Sequence, residues 1–212
     1  MNTPGWGARV VHAHGRSWQL RASDEPVGAG PNRWGDGSEQ AWVDGSGALH
    51  LRSSNAPEDA RAVEVSTPLP ECHQRIRFVL DAALLRLPEE VIVGAFVYRD
   101  DKSEFDVEFG TWGGIYSDNA QFVVAPVDAA RTRVHRFALD ASSIDTELTW
   151  TEDSIEFEVL GADARTSWSY RGPKRPVPAA HRFHVNVWFL HGNAGGARPT
   201  EVVLRSFSVH CI

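Results

Sequence analysis

The sequence predicts an all-β fold, an antiparallel β-sandwich or jelly roll with a concave cleft face. Three observations carry this expectation. Apolar residues recur with a period of two in run after short run, clusters of Gly, Pro, Asp, Asn and Ser punctuate the runs, and a single stretch could hold a helix. Strands without crossover helices pair antiparallel, and two facing sheets cover that many half-buried strands.

Taken in order, the turn signal "VDGSG" leads into "ALHLR", Ala48 to Arg52, where Leu49 and Leu51 alternate with polar residues. "QRIRFVL" places Ile76, Phe78 and Leu80 on one face and Arg75 and Arg77 on the other. The helical stretch, "DAALLRLPEE" from Asp81 to Glu90, is cut short by Pro88, which allows a turn or two at most. "VIVGAFVY", "AQFVVA", "HRFALD", "SIEFEVL", "HVNVWFL" and "EVVLRSFSV" continue the strand pattern. "RGPKRPVPAAH", Arg171 to His181, is rich enough in Pro to be a long loop between strands.

At 212 residues the chain is long enough to bury one sizeable core, and a single domain over residues 1–212 is expected. Twenty-one basic against 28 acidic residues give a net charge of −7, with no Lys or Arg run to track a phosphate backbone. Nucleic acid is therefore excluded as a partner. No segment is apolar enough to cross a membrane as a helix, and a monomer is expected. The amino terminus lacks the charged and apolar regions of a signal peptide, so the chain reads as cytoplasmic as written and as secreted if a signal precedes it. Cys72 and Cys211 are too few for a disulfide scaffold and read as small, unreactive residues. Eight Trp against one Met stands out, because an indole face suits a core and a sugar platform equally.

The most informative stretch is "SEFDVEFGTWGG", Ser103 to Gly114. In a strand, Glu104, Asp106 and Glu108 share one face while Phe105, Val107 and Phe109 share the other. The aromatic side belongs to a core, so the acidic side lines either water or a groove. Four strand steps separate the outer Cα atoms by roughly 13 Å. Two Glu side chains leaning inward then leave about 5 to 6 Å between carboxyls, close to the separation in a retaining glycosidase. Asp106 between them can hydrogen-bond one Glu and hold the protonation states of the pair apart. A solvated acidic face is the competing explanation of the same spacing.

"EFDVEF" resembles the E-x-D-x-E-F strand of family 16 glycoside hydrolases, the lichenase and laminarinase group with a concanavalin A-like jelly roll. Other segments match that family's pattern in the same chain order: "GPNRWGDGSEQAWVDGSGALHLR", "NAQFVV", "VHRFALD" with "WTEDSIEFEVLG", "HVNVWF" and "EVVLRSFSV". The resemblance runs from Trp18 to Val209. It implies Glu104 as nucleophile, Asp106 as its assisting partner and Glu108 as general acid/base. It also implies Trp34, Trp112, Gln121, Asn186 and Trp188 as cleft residues for a polysaccharide or oligosaccharide. Two departures bear on substrate: "ASSIDTEL", Ala141 to Leu148, is an insertion against the pattern, and "GTWGGIYSDN" follows the acidic strand. No cofactor is implied, and no residues can be aligned to the structural calcium that the family carries.

His181 and His184, three apart, fall on opposite faces of a strand and do not form a metal pair. His135 reads as a hairpin residue and Asn119 as a turn residue. Three functions follow: a retaining endo-glycosidase acting on a β-glucan or galactan, a lectin-like domain without turnover, or an intracellular protein binding a non-glycan small molecule in the same cleft.

Overall fold

The computed structural model describes residues 5–56, 58–82, 84–127, 133–141, 143–161, 164–196 and 198–212. Strands are numbered along the chain. An eight-stranded antiparallel sheet has the order β1 (Trp6–Ala13), β2 (Arg16–Arg21), β9 (Val63–Pro68), β18 (Arg182–Phe189), β11 (Val91–Asp100), β12 (Ser103–Phe109), β13 (Ala120–Val124) and β14 (Val134–Phe137). Behind it lies a seven-stranded sheet ordered β17 (Arg165–Tyr170), β16 (Ile155–Leu160), β15 (Ser143–Trp150), β10 (Gln74–Ala82), β19 (Glu201–Cys211), β6 (Leu49–Arg52) and β5 (Ala41–Val43). Two small ribbons, β3 (Ser23–Val27) with β4 (Asn32–Trp34) and β7 (Ser54–Ala56) with β8 (Asp59–Arg61), complete it. This is the sandwich that the period-two pattern predicts.

Alternation along each strand fills the space between the sheets. Phe105 meets Trp150 edge-on at 5.2 Å, Phe122 stacks on Phe157 at 5.0 Å, and Phe183 tilts against Phe78 at 5.2 Å. Each of these contacts joins a strand of the first sheet to one of the second, and all six rings are buried. Truncating any of them to Ala costs about 3–5 kcal/mol. The stretch at Leu84–Arg86 is one 3₁₀ turn, as Pro88 dictates, and 171–181 is the loop between β17 and β18.

Two expectations change. Residues 143–148 of the apparent insertion lie in β15, paired along β10 from Leu80↔Ile144 to Ile76↔Leu148, so they extend the back sheet. Cys72 and Cys211 are not free thiols but a disulfide, which closes a loop over 139 positions. Pairing of β10 with β19 sets Gln74 against Cys211, which brings the last strand to the segment holding Cys72. A cross-link over so long a loop contributes about 2–5 kcal/mol, chiefly by restricting the unfolded chain.

Candidate active site

The outer face of the eight-stranded sheet is where the acids emerge. Phe105, Val107 and Phe109 are fully buried in the core, so Glu104, Asp106 and Glu108 project the other way. The pairing of β12 with β11 is regular from Phe109↔Val93 to Glu104↔Tyr98, so the strand spacing between the two Glu positions is preserved. Register then extends each acid into a row across the sheet. Glu108 lies between Gln121 and Gly94, and the row continues to Arg136 on one side and to Asn186 and Glu64 on the other. Asp106 heads a row through Phe96, His184 and Ser66, and Glu104 one through Tyr98 and Arg182.

Glu104 and Asp106 are joined by a side-chain hydrogen bond, and both carboxyls are pushed above their ordinary range. Burial and the Glu108 charge push the Glu104 carboxyl up to about 8, while the hydrogen bond from Asp106 works in the opposite direction. Burial, then the charges of Glu104 and Glu108, raises Asp106 well above the ordinary range, and its hydrogen bond to Glu104 raises it further. When the pair carries a single proton it sits on Asp106, which donates to the Glu104 carboxylate, because two adjacent buried carboxyls do not both ionise; near neutral pH Glu104 is largely protonated as well. The hydrogen bond from Asp106 thus favours the charged form of Glu104, against burial and the Glu108 charge, which favour the neutral one and prevail.

Glu108 is held differently. Gln121 Nε2 donates to Glu108 Oε2 at 2.5 Å. Next in the row, the Arg136 guanidinium lies between two rings, 4.5 Å from Trp112 and 3.4 Å from Tyr116. Trp112 adopts a left-handed backbone, φ +49°, unusual for a residue with a Cβ and found where surroundings enforce it. The half-buried indole thus stands at the Glu108 end of the acidic row.

On the far side of Glu104 opens a cavity of about 620 Å³. Its floor holds Glu64, whose Oε1 accepts from His184 Nδ1 at 2.7 Å and whose Oε2 accepts from Arg21 Nη1 at 2.9 Å. Burial alone would raise the Glu64 carboxyl, but His184 and Arg21 outweigh it and hold it below its usual range. Burial lowers His184, so the ring is neutral with Nδ1 donating, and its buried Nε2 has no protein partner. His184 stacks on Phe96 at 4.7 Å. Gly94 makes room for the Asn186 amide, since a Cβ there would fall 2.6 Å from Asn186 Oδ1. That oxygen is also buried without a protein partner.

Of the residues singled out from sequence, the sheet brings Glu104, Asp106, Glu108, Gln121 and Asn186 to one face. Trp188 follows Asn186 on that face, half-buried, with the Gly30 backbone against its ring. Trp34 does not belong with them. It is fully buried, donates from Nε1 to Val27 O at 3.1 Å, and is covered by the Arg21 guanidinium at 4.3 Å, so it has no face to offer a ligand. Asn119 does more than make a turn: its side chain bonds both N and O of Leu139. His135 stacks on Trp168 at 5.9 Å, and His181 bonds Ser103 Oγ at 2.8 Å. Among the described residues no group of three or more His, Cys, Asp or Glu is placed to hold a metal ion.

Sequence reasoning passed over Glu64, His184 as a cleft residue, Arg21, Gly94, Tyr98 and Arg182. "VEVS" at Val63 to Ser66 carried a signal, an acid set between two apolar residues in a period-two run.

No family model matches the sequence, and no curated protein matches it. Solved structures do match in shape. A β-1,3-glucanase from Mycobacterium marinum superposes with a TM-score of 0.71 at 15% identity, covering 91% of this chain and 90% of that one. An immunostimulatory antigen and pseudo β-1,3-glucanase of Mycobacterium tuberculosis gives 0.71 at 17% identity, covering 92% and 91%. A Bacteroides ovatus family 16 protein in complex with a G4G4G3G product gives 0.65 at 11% identity, covering 91% and 94%. The fold is that of the family 16 glycoside hydrolases. At these identities the likeness is one of fold alone, and this sandwich carries its acidic strand on the open face of the eight-stranded sheet.

Proposed function

We propose that this protein is a retaining endo-glycosidase that cleaves β-glycosidic bonds of a polysaccharide. The observation that carries the reading is the row Glu104, Asp106, Glu108 on the open face of a family 16 fold, with Asp106 hydrogen-bonded to Glu104 and Glu108 held by Gln121. Glu104, ionised, attacks the anomeric carbon. Glu108, which must be protonated in the productive complex, gives its proton to the departing glycosidic oxygen, leaving a glycosyl ester on Glu104. Glu108, now a carboxylate, takes a proton from water, whose oxygen attacks the same carbon and expels Glu104. Asp106 supplies a hydrogen bond to whichever charge Glu104 bears. Trp112 and Trp188 supply half-buried indole faces, and Gln121 and Asn186 amides, for sugar rings and hydroxyls.

Two observations favour a second reading, in which the cleft binds glycan without turnover. One structural neighbour is a pseudo β-1,3-glucanase, and the raised Glu104 carboxyl is largely protonated at neutral pH. The Cys72–Cys211 bond favours an oxidising compartment, where polysaccharides are met, over a cytoplasmic one. Reducing-end release on a panel of β-1,3-, β-1,4- and mixed-linked glucans and galactans separates the two readings. Hydrolysis predicts release that disappears in Glu104→Gln, whereas glycan binding with no release supports the lectin-like alternative.

A further inference from the structure

The cavity beside Glu104 has three arginines in its wall, Arg21, Arg99 and Arg182. Two have carboxylate partners. Arg21 bonds Glu64 at 2.9 Å, and Arg99 Nε bonds Asp100 at 2.9 Å. Arg182 is the exception: its Nε donates to Ser66 Oγ at 2.9 Å and its Nη2 to Ser66 O at 3.1 Å, both neutral acceptors. Among the described residues no carboxylate lies within 4.0 Å of it. Burial lowers the Arg182 pKa, and no neighbouring negative charge counters that effect. A guanidinium does not escape by losing its proton, so a partly desolvated one is costly until an anion reaches it. Its position is also fixed, because two of its nitrogens are already committed to Ser66 and its carbon lies 5.8 Å over the half-buried Trp6 ring, which lines the same cavity.

The acids of the cavity do not answer this charge. Glu64 is matched by Arg21 and His184, Asp101 accepts from the Tyr98 hydroxyl at 3.0 Å, and Glu104 is hydrogen-bonded to Asp106. Register places Arg182 two strands from Glu104 through Tyr98, a lateral distance of roughly 10 Å. A ligand filling the cavity therefore presents to Arg182 a group one ring or more away from any bond that Glu104 could attack.

We infer that the glycan bound here is acidic, with a carboxylate or sulfate ester on a sugar unit in this cavity accepted by Arg182 while the ring lies against Trp6. This deepens the glycosidase reading and rests on its placing a glycan in the cleft. Nη1 and the outer edge of the guanidinium are the donors left for the anion, and Ser66 fixes the fork from behind. A neutral glucan leaves the Arg182 charge desolvated and unmatched, which is a term against binding as well as a missing contact.

The test is calorimetric binding to the full chain carrying Glu104→Gln, so that no ligand is consumed. Three probes are used: a neutral β-linked gluco-tetrasaccharide, a β-linked tetrasaccharide containing glucuronic acid, and a sulfated galactan tetrasaccharide. The expected result is that at least one acidic probe binds roughly 10- to 100-fold tighter than the neutral one. The preference shrinks in 1 M salt, persists in part in Arg182→Lys and disappears in Arg182→Gln. The uronate and sulfate arms identify which anion is meant. Equal affinity for neutral and acidic probes overturns the inference, as does an acid preference that survives Arg182→Gln, or absence of binding to all three. Because turnover is not read, an Arg182-dependent preference stands even if the wild-type chain proves unable to hydrolyse any glycan.

Discussion

Replacing Glu104 by Gln removes a buried ionisation, and its effect on stability follows from the site geometry. The carboxyl rises from 4.5 to about 8, first through burial and then through the Glu108 charge. A folded-state pKa above the unfolded one means that this group's stabilising contribution is complete below pH 4.5 and is lost as pH rises through about 8. At about 1.4 kcal/mol per tenfold change the full span corresponds to about 5 kcal/mol. The interaction with Asp106 divides that quantity between two groups, leaving about 2–3 kcal/mol attributable to Glu104. For a chain of this length each kcal/mol moves the melting temperature by about 2–4 °C. Scanning calorimetry at pH 5, 7 and 9 reads the difference directly. The wild type loses about 4–12 °C more than Glu104→Gln between pH 5 and pH 9. Parallel profiles for the two proteins refute this account of the Glu104–Asp106 pair.

Further consequences are as direct. With a substrate in hand, kcat/KM is low at pH 5 and climbs as Glu104 ionises toward pH 8, and a limb centred near 4.5 in the pH–rate profile counts against a desolvated nucleophile. Gly94→Ala pushes a methyl group to 2.6 Å from Asn186 Oδ1, so glycan affinity measured by calorimetry falls while stability drops by about 1–3 kcal/mol. Unaltered affinity there removes Asn186 from the binding floor. Cys72→Ser with Cys211→Ser lowers the urea midpoint by an amount worth about 2–5 kcal/mol without changing affinity.

The acidic strand was legible because its information is local. A period of two assigns Glu104, Asp106 and Glu108 to one face whatever lies beside β12, and the structure agrees. Gln121 and Asn186 came only through the family resemblance, which aligned "NAQFVV" and "HVNVWF" with strands of that family's cleft. Trp34 shows where such reasoning stops. Nothing in "NRWG" says that Arg21, from a strand earlier in the chain, covers the indole. The Glu64, His184 and Arg21 cluster fails to show for the same reason: β9, β18 and β2 are neighbours by topology, while Glu64 and His184 lie 120 positions apart in the chain. The disulfide, closing over 139 positions, is likewise a product of the register between β10 and β19. Gly94 is an instructive case, because its significance lies in the Asn186 amide across the strand pair and in nothing adjacent to it.

The central claim is that Glu104 forms a bond to sugar while Glu108 moves the proton. Incubation with a 2-deoxy-2-fluoro glycoside bearing a good leaving group, followed by peptide mass spectrometry, tests it most directly. The account predicts one added glycosyl group on the peptide spanning Ser103 to Phe109, located on Glu104, and none in Glu104→Gln. A wild-type protein that stays unlabelled, or that carries the sugar on a different residue, contradicts it.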